Sequence, residues 1–445
     1  MKTLKFTRKL LVLVGLLHSA VGSIAAEALD LERMQRQATG WLAEYLRIDT
    51  ANPPGNELEG ALYLAELLRK EGIEPRLLEP APARANLYAR LNGDGSRRPL
   101  LLLHHMDVVP AEGNRWTHPP TSGHIGDGAI WGRGAVDAKG LGIAQLAVFL
   151  ALKKSDTPLK RDVILLASAD EEAGGRLGVE WLLNNYGSLF EDVEYVLTEG
   201  GGNISDKGKL LYVGVETAQK SPLWLRLTVR GQPGHGAVPR EDSAVVRLIR
   251  ALDRIVRFDP AIRLHPAVLR YFERIAPYQS EEARRHFENV ADSVESSRIF
   301  RYLDPAQRSL LRNTISVTVL QGSAKTNVIA SNAFAELDIR LLPDEDPEQF
   351  IRTLTDVIAD PAVQLETLLR SESTFASEQA EFFDALRRVL QRTSPGAEVG
   401  PYVLPGFTDS RHFRARGVHA YGLNPFALEE TEAMGVHGHD EHISI

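Results

Sequence analysis

Three short apolar runs in the first half of the sequence each end in polar residues whose side chains suit catalysis or metal binding. They are 100–103 before His105 and Asp107, 163–167 before Glu171 and Glu172, and 195–197 before Glu199. Helical patterns separate the runs, so the order of strands and helices predicts an α/β fold with a mostly parallel central sheet. Ligands bind just beyond the carboxyl ends of parallel strands, so the three polar clusters are expected at one edge of that sheet.

The sequence pattern changes near Lys220 and indicates a second domain. Strand, helix, strand, strand, helix and strand follow one another, which is the order of a ferredoxin-like α+β sandwich. The segments are 223–231, 242–256, 315–320, 333–341, 347–359 and 363–369, with a charged helical stretch inserted over 258–313. We therefore predict a first domain formed by 27–217 and 371–445 and an inserted domain over 218–370.

A glycine-rich turn, W-G-R-G-A-V-D-A-K-G over 131–140, leads into an apolar helix. Glycines allow backbone conformations that are closed to residues with a Cβ atom. Asp137 lies where this loop enters the helix, a position that favours a carboxylate. Taken alone, the pattern is more typical of an aspartate that caps the helix than of a metal ligand.

The polar clusters each have a structural and a chemical interpretation. His105 with Asp107 fits a metal ligand whose ring is oriented by a carboxylate, or two ordinary polar residues at a strand end. Glu171 and Glu172 fit a general base beside a metal ligand, or a solvated acidic turn. The histidine-rich stretch V-H-G-H-D-E-H, 436–442, fits a metal site or an adventitious tract.

Charge and cysteine content narrow the classes of ligand. The 445 residues carry a formal net charge of −8, with no block of lysine and arginine in the body of the chain. Such a chain is not expected to bind nucleic acid or anionic membrane surfaces. The sequence has no cysteine, so a transition-metal site would have to use histidine and carboxylate ligands.

The first 26 residues have the pattern of a secretory signal. Four basic residues precede the apolar run L-L-V-L-V-G-L-L, and small residues end the segment. The apolar run is too short for a stable membrane anchor, so we expect cleavage and export to the periplasm or the exterior. A retained N-terminal anchor is the alternative. Cleavage would change the net charge from −8 to −12, because the segment carries four basic and no acidic residues.

Nine motifs occur in a fixed order along the rest of the sequence. They are H-M-D-V-V-P, G-R-G-A-V-D-A-K-G, S-A-D-E-E-A-G-G, T-E-G-G, G-Q-P-G-H-G-A-V-P, T-N-V-I, D-I-R-L-L-P, G-F-T-D-S-R and V-H-G-H-D-E-H-I. Together they resemble the two-zinc exopeptidase and amidohydrolase family of glutamate carboxypeptidase, vacuolar carboxypeptidase S, aminoacylase and succinyl-diaminopimelate desuccinylase. The resemblance covers essentially the whole chain after residue 26.

The resemblance implies two zinc ions per subunit, with Co²⁺ or Mn²⁺ as substitutes. His105 and Glu199 would hold one ion, Glu172 and His437 would hold the other, and Asp137 would bridge both. In the family, the peptide bond after the bridging aspartate is cis. The implied fold is a zinc-exopeptidase-like catalytic domain with the ferredoxin-like domain as a lid.

Roles around the metals follow from the same resemblance. Asp107 would clamp His105, and Glu171 would act as the general base on the attacking water. Gly406 and Arg411 would line the substrate pocket.

The lid domain would act on the substrate and would also form a homodimer. The resemblance assigns His235, Asn327 and Arg340 to substrate binding and catalysis, with His235 reaching the active site of the partner subunit. Attack on an amide builds an oxyanion that needs a hydrogen-bond donor, and an imidazole can be that donor. An arginine can grip a carboxylate in two parallel hydrogen bonds, which suits a substrate with a free carboxylate.

The function implied is hydrolysis of an amide or peptide bond beside an amino acid with a free carboxylate, as in a carboxypeptidase. One alternative is an N-acyl-amino-acid deacylase. Glu199 in the third ligand position and the long insertion over 258–313 make the resemblance nearer to the aminoacylase or carboxypeptidase S branch than to glutamate carboxypeptidase. Another is a catalytically inactive metal- or peptide-binding homologue, against which the presence of Glu171 argues. Relatives usually continue with a closing helix where this sequence stops at Ile445, so we expect a truncated form of the family's pattern.

Overall fold

The computed structural model of the chain describes residues 31–155, 157–206, 209–372 and 374–445. The predicted signal segment, 1–26, lies outside these residues. The first of two compact units contains the described residues up to Thr217, Ala376–Tyr402 and Thr408–Ile445, and the second contains Ala218–Phe375 and Val403–Phe407. None of the helices in the described part of the chain is long and apolar enough to cross a lipid bilayer.

The secondary-structure elements are numbered in chain order. The strands are β1 (Arg76–Ala81), β2 (Arg84–Leu91), β3 (Arg97–His105), β4 (His124–Gly126), β5 (Ala129–Trp131), β6 (Arg161–Ser168), β7 (Tyr195–Thr198), β8 (Gly202–Asp206), β9 (Lys209–Gln219), β10 (Ser221–Arg230), β11 (Gly234–His235), β12 (Thr314–Gln321), β13 (Val328–Ile329), β14 (Asn332–Leu341), β15 (Val363–Arg370), β16 (Glu398–Leu404), β17 (His419–Gly422) and β18 (His442–Ser444). The helices are α1 (Leu31–Leu46), α2 (Glu57–Lys70), α3 (Lys139–Lys154), α4 (Val179–Asn185), α5 (Ala244–Arg257), α6 (Pro266–Ile275), α7 (Glu281–Glu288), α8 (Val290–Glu295), α9 (Pro305–Ser309), α10 (Pro347–Ile358), α11 (Glu381–Thr393), α12 (Ser410–Arg414) and α13 (Glu430–Gly435).

The first unit is built on a mixed sheet in the order β1-β2-β6-β3-β7-β17-β9-β16, with β8 paired to β9. Its central strands β6, β3, β7 and β17 are parallel to one another. The outer pairs β1 with β2, β2 with β6 and β17 with β9 are antiparallel. The predicted α/β fold with a mostly parallel central sheet is confirmed. Because β6, β3 and β7 are adjacent, their carboxyl ends bring the three polar clusters to one edge.

Helix α3 is apolar nearly all round because it lies inside the first unit, with every residue from Lys139 to Leu150 buried. The N-cap residue of this helix is Ala138, and no side chain caps the helix end. The interpretation of Asp137 as the capping residue is therefore wrong. Because Asp137 does not cap α3, both of its carboxylate oxygens are available for contacts with other side chains.

The second unit contains a four-stranded sheet in the order β12-β14-β10-β15, in which all neighbouring strands are antiparallel. Strand β10 alternates between buried and partly exposed residues, and its buried leucines share one core with residues of α5 and α10. The order of strands and helices and the antiparallel sheet are those of a ferredoxin-like sandwich. Helices α6 to α9 form the insertion in the charged stretch. The role of this unit as a lid stays a prediction.

The second unit ends later in the chain than residue 370, where the sequence pattern put its end. Phe375 forms an isolated bridge with Ala218, and its ring stacks on that of His265 with 5.5 Å between centroids. The segment Val403–Phe407 also belongs here, because Leu404 O accepts a hydrogen bond from Lys220 N at 2.9 Å. Contacts of this kind between distant segments carry no periodic signal in a sequence.

Candidate metal centre and active site

Six polar side chains of the first unit meet at the carboxyl edge of its parallel strands. His105 ends β3, Glu171 and Glu172 form a 3₁₀ turn after β6, and Glu199 follows β7 directly. The other two come from loops. Asp137 precedes α3, and His437 lies between α13 and β18. Strand order alone therefore positions four of the six side chains.

The ligand atoms form two groups that share Asp137. Oδ1 of Asp137 lies 3.0 Å from Nε2 of His105, and Oε1 of Glu199 lies 3.4 Å from the same nitrogen. Oδ2 of Asp137 lies 3.2 Å from Nε2 of His437, which is 3.4 Å from Oε2 of Glu172. Each oxygen of Asp137 thus faces one group. The peptide bond between Asp137 and Ala138 is cis, as the resemblance implied.

Burial dominates the electrostatics of the glutamates. It raises the pKa of Glu199 to about 7 and also raises the pKa values of Glu171 and Glu172, because a charged carboxylate loses its hydration. The pKa of His437 is raised to about 10 by its contacts with Asp137 and then with Glu172. Carboxylates therefore crowd around two imidazoles, and a cation among these atoms would relieve their mutual repulsion.

The donor set fits a pair of divalent metal ions. Imidazole nitrogen and carboxylate oxygen are both zinc ligands, and the four separations given above span 3.0–3.4 Å. Ligand atoms at roughly 2.0–2.2 Å from one tetrahedral ion lie about 3.3–3.6 Å apart. In addition, the buried Oε1 atoms of Glu171 and Glu172 have no hydrogen-bond partner among the described residues. The residues that would hold the ions are His105 with Glu199, and Glu172 with His437, with Asp137 shared.

Asp107 does not hold the His105 ring with its carboxylate. Nδ1 of His105 lies 2.8 Å from the backbone oxygen of Asp107, whereas the carboxylate oxygen is 3.6 Å away, too far for a hydrogen bond. The carboxylate instead accepts hydrogen bonds from Glu171 N at 3.1 Å, Glu172 N at 3.2 Å and Asn52 Nδ2 at 2.8 Å. The predicted clamp is thus corrected to a main-chain contact, and the carboxylate fixes the turn that carries both glutamates.

A buried network behind this turn was missed in the sequence. Asn52 Nδ2 also donates to Asp170 Oδ1 at 3.1 Å, and Arg84 Nη2 donates to the same oxygen at 2.9 Å. Arg84 Nη2 also donates to Oε1 of Glu57 at 2.6 Å. Asn52 lies in the loop T-A-N-P-P-G-N, 50–56. Through Asn52, this loop supports the turn that carries Glu171 and Glu172.

Glu441 was also missed, although it lies within the histidine-rich motif. Its carboxylate is fully buried and accepts hydrogen bonds from Val136 N at 2.8 Å, Asp137 N at 3.1 Å and Gly134 N at 3.1 Å. Arg133 Nη1 donates to the same carboxylate at 2.7 Å. Glu441 therefore holds the backbone of the loop that presents Asp137.

Arg411 does not line an open pocket. Its residue is 2% exposed, and its guanidinium donates to Thr408 O and Gly174 O, both at 2.9 Å. Nη1 of Arg411 lies 4.0 Å from Oε1 of Glu171. The predicted substrate contact is corrected to a position behind the glutamate turn, because buried donors that already bind backbone carbonyls have no access to a substrate.

His235 and Asn327 lie together in the second unit. His235 ends β11, and Asn327 directly precedes β13, the strand that pairs with β11. Gly236 N donates to Asn327 O at 2.9 Å, and both His235 and Asn327 are exposed. Ala237 N donates to Nδ1 of His235 at 3.0 Å. A neutral imidazole that accepts at Nδ1 carries its proton on Nε2, so this ring presents Nε2 as a donor.

Arg340 and Gly406 also lie near each other in the second unit. The ring of Phe407, next to Gly406, lies 4.6 Å from Cζ of Arg340. Nε and Nη2 of Arg340 donate to the two carboxylate oxygens of Asp338, at 2.6 and 2.9 Å. This pairing leaves the outer edge of the guanidinium, with Nη1 and the second Nη2 hydrogen, for another acceptor.

Comparison with known sequences gives one family. Residues 101–445 match the model described as peptidase family M20/M25/M40. A probable carboxypeptidase S-like protein of Dictyostelium discoideum is 28% identical over 79% of this chain and 69% of that protein. An N-fatty-acyl-amino acid synthase/hydrolase of Xenopus tropicalis is 29% identical over 81% of this chain and 72% of that protein. Human aminoacylase-1 is 27% identical over 90% of this chain and 89% of that protein.

Solved structures share the fold. A dipeptidase of Saccharomyces cerevisiae has a TM-score of 0.72 at 14% identity. The match covers 100% of this chain and 95% of the dipeptidase chain. Human carnosine dipeptidase 1 has a TM-score of 0.66 at 17% identity, with 98% and 95% coverage. A metallo-carboxypeptidase of Sulfolobus solfataricus has a TM-score of 0.66 at 21% identity, with 92% and 95% coverage.

Proposed function

The chain belongs to peptidase family M20/M25/M40, and from this premise we propose that it hydrolyses an amide or peptide bond beside an amino acid with a free carboxylate. The observation that carries the proposal is the pair of imidazole and carboxylate groups that share Asp137, with the buried carboxylate of Glu171 beside them. Two zinc ions, for which cobalt or manganese can substitute, are the cofactors of the proposed reaction.

Glu171 is the proposed general base. Bound zinc would supply Lewis-acid polarisation of the scissile carbonyl and of the attacking water. Glu171 would take a proton from that water and deliver it to the leaving amine. The Asp107 carboxylate holds Glu171 N at 3.1 Å, and Arg411 lies 4.0 Å from Oε1, so the turn is fixed before any substrate arrives.

Substrate contacts in the proposed reaction come from the second unit. His235 would donate its Nε2 proton to the oxyanion, and Arg340 would bind the free carboxylate through the outer edge of its guanidinium. The Asp338 carboxylate holds the inner edge of Arg340, which fixes the orientation of the guanidinium. Asn327 and Gly406 are the other proposed contacts with the substrate.

The role of Arg340 can be tested by comparing free acids with amides. We expect Arg340→Lys to lower kcat/KM for free-acid substrates by about 10- to 100-fold, because hydrogen bonds to charged groups are lost and lysine lacks the planar fork. The decrease in kcat/KM should be much smaller for the C-terminal amides of the same substrates. Arg226→Lys is the matched control, since Arg226 also pairs with a carboxylate, of Glu336, and lies over a phenylalanine ring. An equal loss on acids and amides would make Arg340 structural.

A homodimer through the second unit is part of the proposal. Strand β12 forms one edge of the four-stranded sheet, and most of its residues are exposed. Val317, Val319 and Leu320 are 37%, 39% and 62% exposed. An edge strand with exposed apolar side chains is a template for pairing with another chain. A second copy of this strand is the partner that we propose.

His235 is expected to act across that dimer. His235→Ala and Glu171→Gln chains should each be nearly inactive as homodimers, the first mainly through kcat because the donor is needed only when the oxyanion forms. Mixed chains, unfolded and refolded together, should form heterodimers with one intact site. Random pairing would restore up to about a quarter of wild-type activity.

The control for this complementation is Arg240→Ala mixed with Glu171→Gln, because Arg240 is exposed on the loop that follows His235. The two variant chains would carry different affinity tags. The fraction of protein that binds through both tags would measure how much heterodimer has formed. If heterodimers form and the His235→Ala mixture recovers nothing, His235 serves its own subunit.

The substrate class has two candidates. Similarity to aminoacylase-1 over 90% of the chain supports N-acyl amino acids, and similarity to a carboxypeptidase S-like protein supports peptides. A screen of dipeptides against N-acetyl and N-long-acyl amino acids, with zinc supplied, would separate the two. A protein that binds metal but turns over none of these substrates would support the inactive homologue, against which Glu171 argues.

Export is a further proposal, supported by the basic and apolar pattern of residues 1–26. Fractionation of cells that express the full chain should recover the enzyme in the periplasm or the medium. N-terminal sequencing of the recovered protein would locate the cleavage site, and an intact N-terminus in the membrane fraction would indicate a retained anchor.

A further inference from the structure

Arg340 belongs to a closed cluster of four side chains on one face of the second unit's sheet. Asp338 and Arg340 are two residues apart on β14 and so point to the same face, and Trp224 on β10 is the cross-strand partner of Asp338. Trp224 Nε1 donates to Oδ1 of Asp338 at 3.0 Å, the oxygen that also accepts from Nε of Arg340. Phe407 completes the cluster, with its ring centroid 4.6 Å from Cζ of Arg340 and 6.0 Å from that of Trp224. Each side chain thus contacts two others.

Asp338 and Phe407 restrict the guanidinium of Arg340 in two different ways. The carboxylate of Asp338 accepts from Nε and Nη2, at 2.6 and 2.9 Å, which opposes rotation of the guanidinium within its plane. Cζ lies over the ring of Phe407, so the ring blocks movement toward that side and attracts the positive charge. The orientation of the outer edge of Arg340 is therefore set before a ligand arrives.

Phe407 is itself held within the second unit. It ends the segment Val403–Phe407, whose Leu404 O accepts a hydrogen bond from Lys220 N at 2.9 Å. Its ring meets that of Trp224 edge to face, at an interplanar angle of 61°, which is a favourable arrangement for two aromatic rings. The ring below Arg340 is thus supported by both the backbone and a neighbouring side chain.

Lys220 is another cation beside this cluster, and it cannot take the place of Arg340. Its Nζ donates to Ser309 O and Arg312 O, both at 2.9 Å, and to Thr314 Oγ1 at 3.0 Å. Thr314 is the cross-strand partner of Arg340. An ammonium has three hydrogens, and all three of these are engaged. A carboxylate at this place would therefore depend on the orientation of Arg340.

Arg226 has similar partners in the same sheet but a looser arrangement. Its Nε and Nη2 both donate to Oε1 of Glu336, at 3.0 and 2.6 Å, and its Cζ lies 5.1 Å from the ring centroid of Phe334. A guanidinium bound to one carboxylate oxygen can pivot about that oxygen. At Arg340, by contrast, each oxygen of Asp338 accepts from a different nitrogen. Phe334 is therefore a matched control for Phe407.

We propose that Phe407 is a positioning residue that acts through Arg340 and sets the affinity for the free carboxylate of the substrate. The inference rests on the proposed function, which assigns that carboxylate to Arg340. A guanidinium that is already oriented loses less conformational freedom when it binds a ligand. The carboxylate is bound in the ground state and in the transition state alike. Loss of the positioning should therefore raise KM and leave kcat nearly unchanged.

The test is Phe407→Leu, which keeps a large apolar side chain but removes the aromatic ring. With N-acetylleucine and leucylleucine, we expect KM to rise about 3- to 30-fold, the range that a cation–π contact supports. The KM values of the C-terminal amides of both compounds should change little. Phe407→Tyr retains the ring and should keep most of the affinity for the free acids. An equal change for acids and amides in Phe407→Leu would leave Phe407 with a structural role only.

Two further variants complete the test. Phe334→Leu removes the ring beside Arg226 and should alter neither KM nor kcat. Trp224→Phe removes the N–H that binds Asp338 but keeps an aromatic side chain, so KM for free acids should rise by less than in Phe407→Leu. An unchanged KM in both Phe407→Leu and Trp224→Phe would overturn the proposal.

A double-mutant cycle with Arg340→Lys shows whether Phe407 acts through Arg340. Lysine has no planar fork to orient, so Phe407→Leu should raise KM for free acids much less in the Arg340→Lys background. The same fold-increase in both backgrounds would mean that the ring acts on the substrate directly, and the positioning role would be wrong.

Binding without turnover separates this inference from the proposed function. Calorimetry on the zinc-loaded protein should give tighter binding of leucine than of leucinamide, and Phe407→Leu should reduce that difference. If binding behaves in this way but no amide is hydrolysed, the positioning role stands and the proposed function fails. If Phe407→Leu hydrolyses free acids with the KM of the wild type, the function stands and the positioning role fails. Equal binding of leucine and leucinamide by the wild type would overturn the carboxylate site at Arg340 and, with it, the role of Phe407.

Discussion

Replacing Glu171 with glutamine will lower kcat by about 10²- to 10⁴-fold while both metals stay bound, because a general base typically contributes a rate factor of that size. The amide keeps the shape of the side chain but cannot accept the proton of the attacking water. Glu171 is 5% exposed, and its Oε1 has no hydrogen-bond partner among the described residues, so the substitution breaks no hydrogen bond at that atom. Its backbone contact with Asp107 does not involve the side chain.

The measurement is steady-state turnover together with zinc content per chain. Glu172→Gln is the informative neighbour, because Oε2 of Glu172 lies 3.4 Å from Nε2 of His437 in one of the two ligand groups. Glu172→Gln should lose bound metal as well as activity. Glu191→Gln, on an exposed residue of the same unit, should change neither the metal content nor the activity. Loss of metal from Glu171→Gln with retention in Glu172→Gln would show that the two roles are reversed.

The positions of the candidate ligands at strand ends could be predicted from the sequence. His105, Glu199 and the glutamate pair each follow an apolar run, and parallel neighbours necessarily bring such ends to one edge. The structure bears this out because β6, β3 and β7 are adjacent. Asp137 and His437 come from loops, whose course no periodicity indicates, so their assignment required the resemblance between motifs.

The supporting residues could not be predicted because they act over long distances in the chain and through the backbone. Glu441 binds the N–H of Val136 across 305 positions. Asn52 reaches Asp170 across 118 positions, from a loop that has no strand or helix pattern. Hydrogen bonds to backbone N–H groups depend on where two segments meet and leave no spacing rule in the sequence. The carboxylate of Asp107 was misassigned for the same reason.

The shared aspartate should be the most sensitive single position of the metal centre. Oδ1 and Oδ2 of Asp137 each approach one imidazole, at 3.0 Å for His105 and 3.2 Å for His437. Asp137→Ala leaves each ligand group with one imidazole and one carboxylate, whereas catalytic zinc sites in proteins keep three protein ligands. We therefore expect both zinc ions to be lost on dialysis, and turnover to fall at least as far as in Glu171→Gln.

Zinc-dependent stability supplies a readout that does not depend on turnover. Metal that binds only the folded chain raises the unfolding temperature with concentration, so wild-type protein should gain stability on addition of zinc. The unfolding temperature of Asp137→Ala should rise little on addition of zinc. Asp94→Ala, on an exposed loop of the same unit, should respond like the wild type. If Asp137→Ala kept both metals and the full thermal response, each ion would be held without Asp137 and the shared-ligand assignment would be wrong.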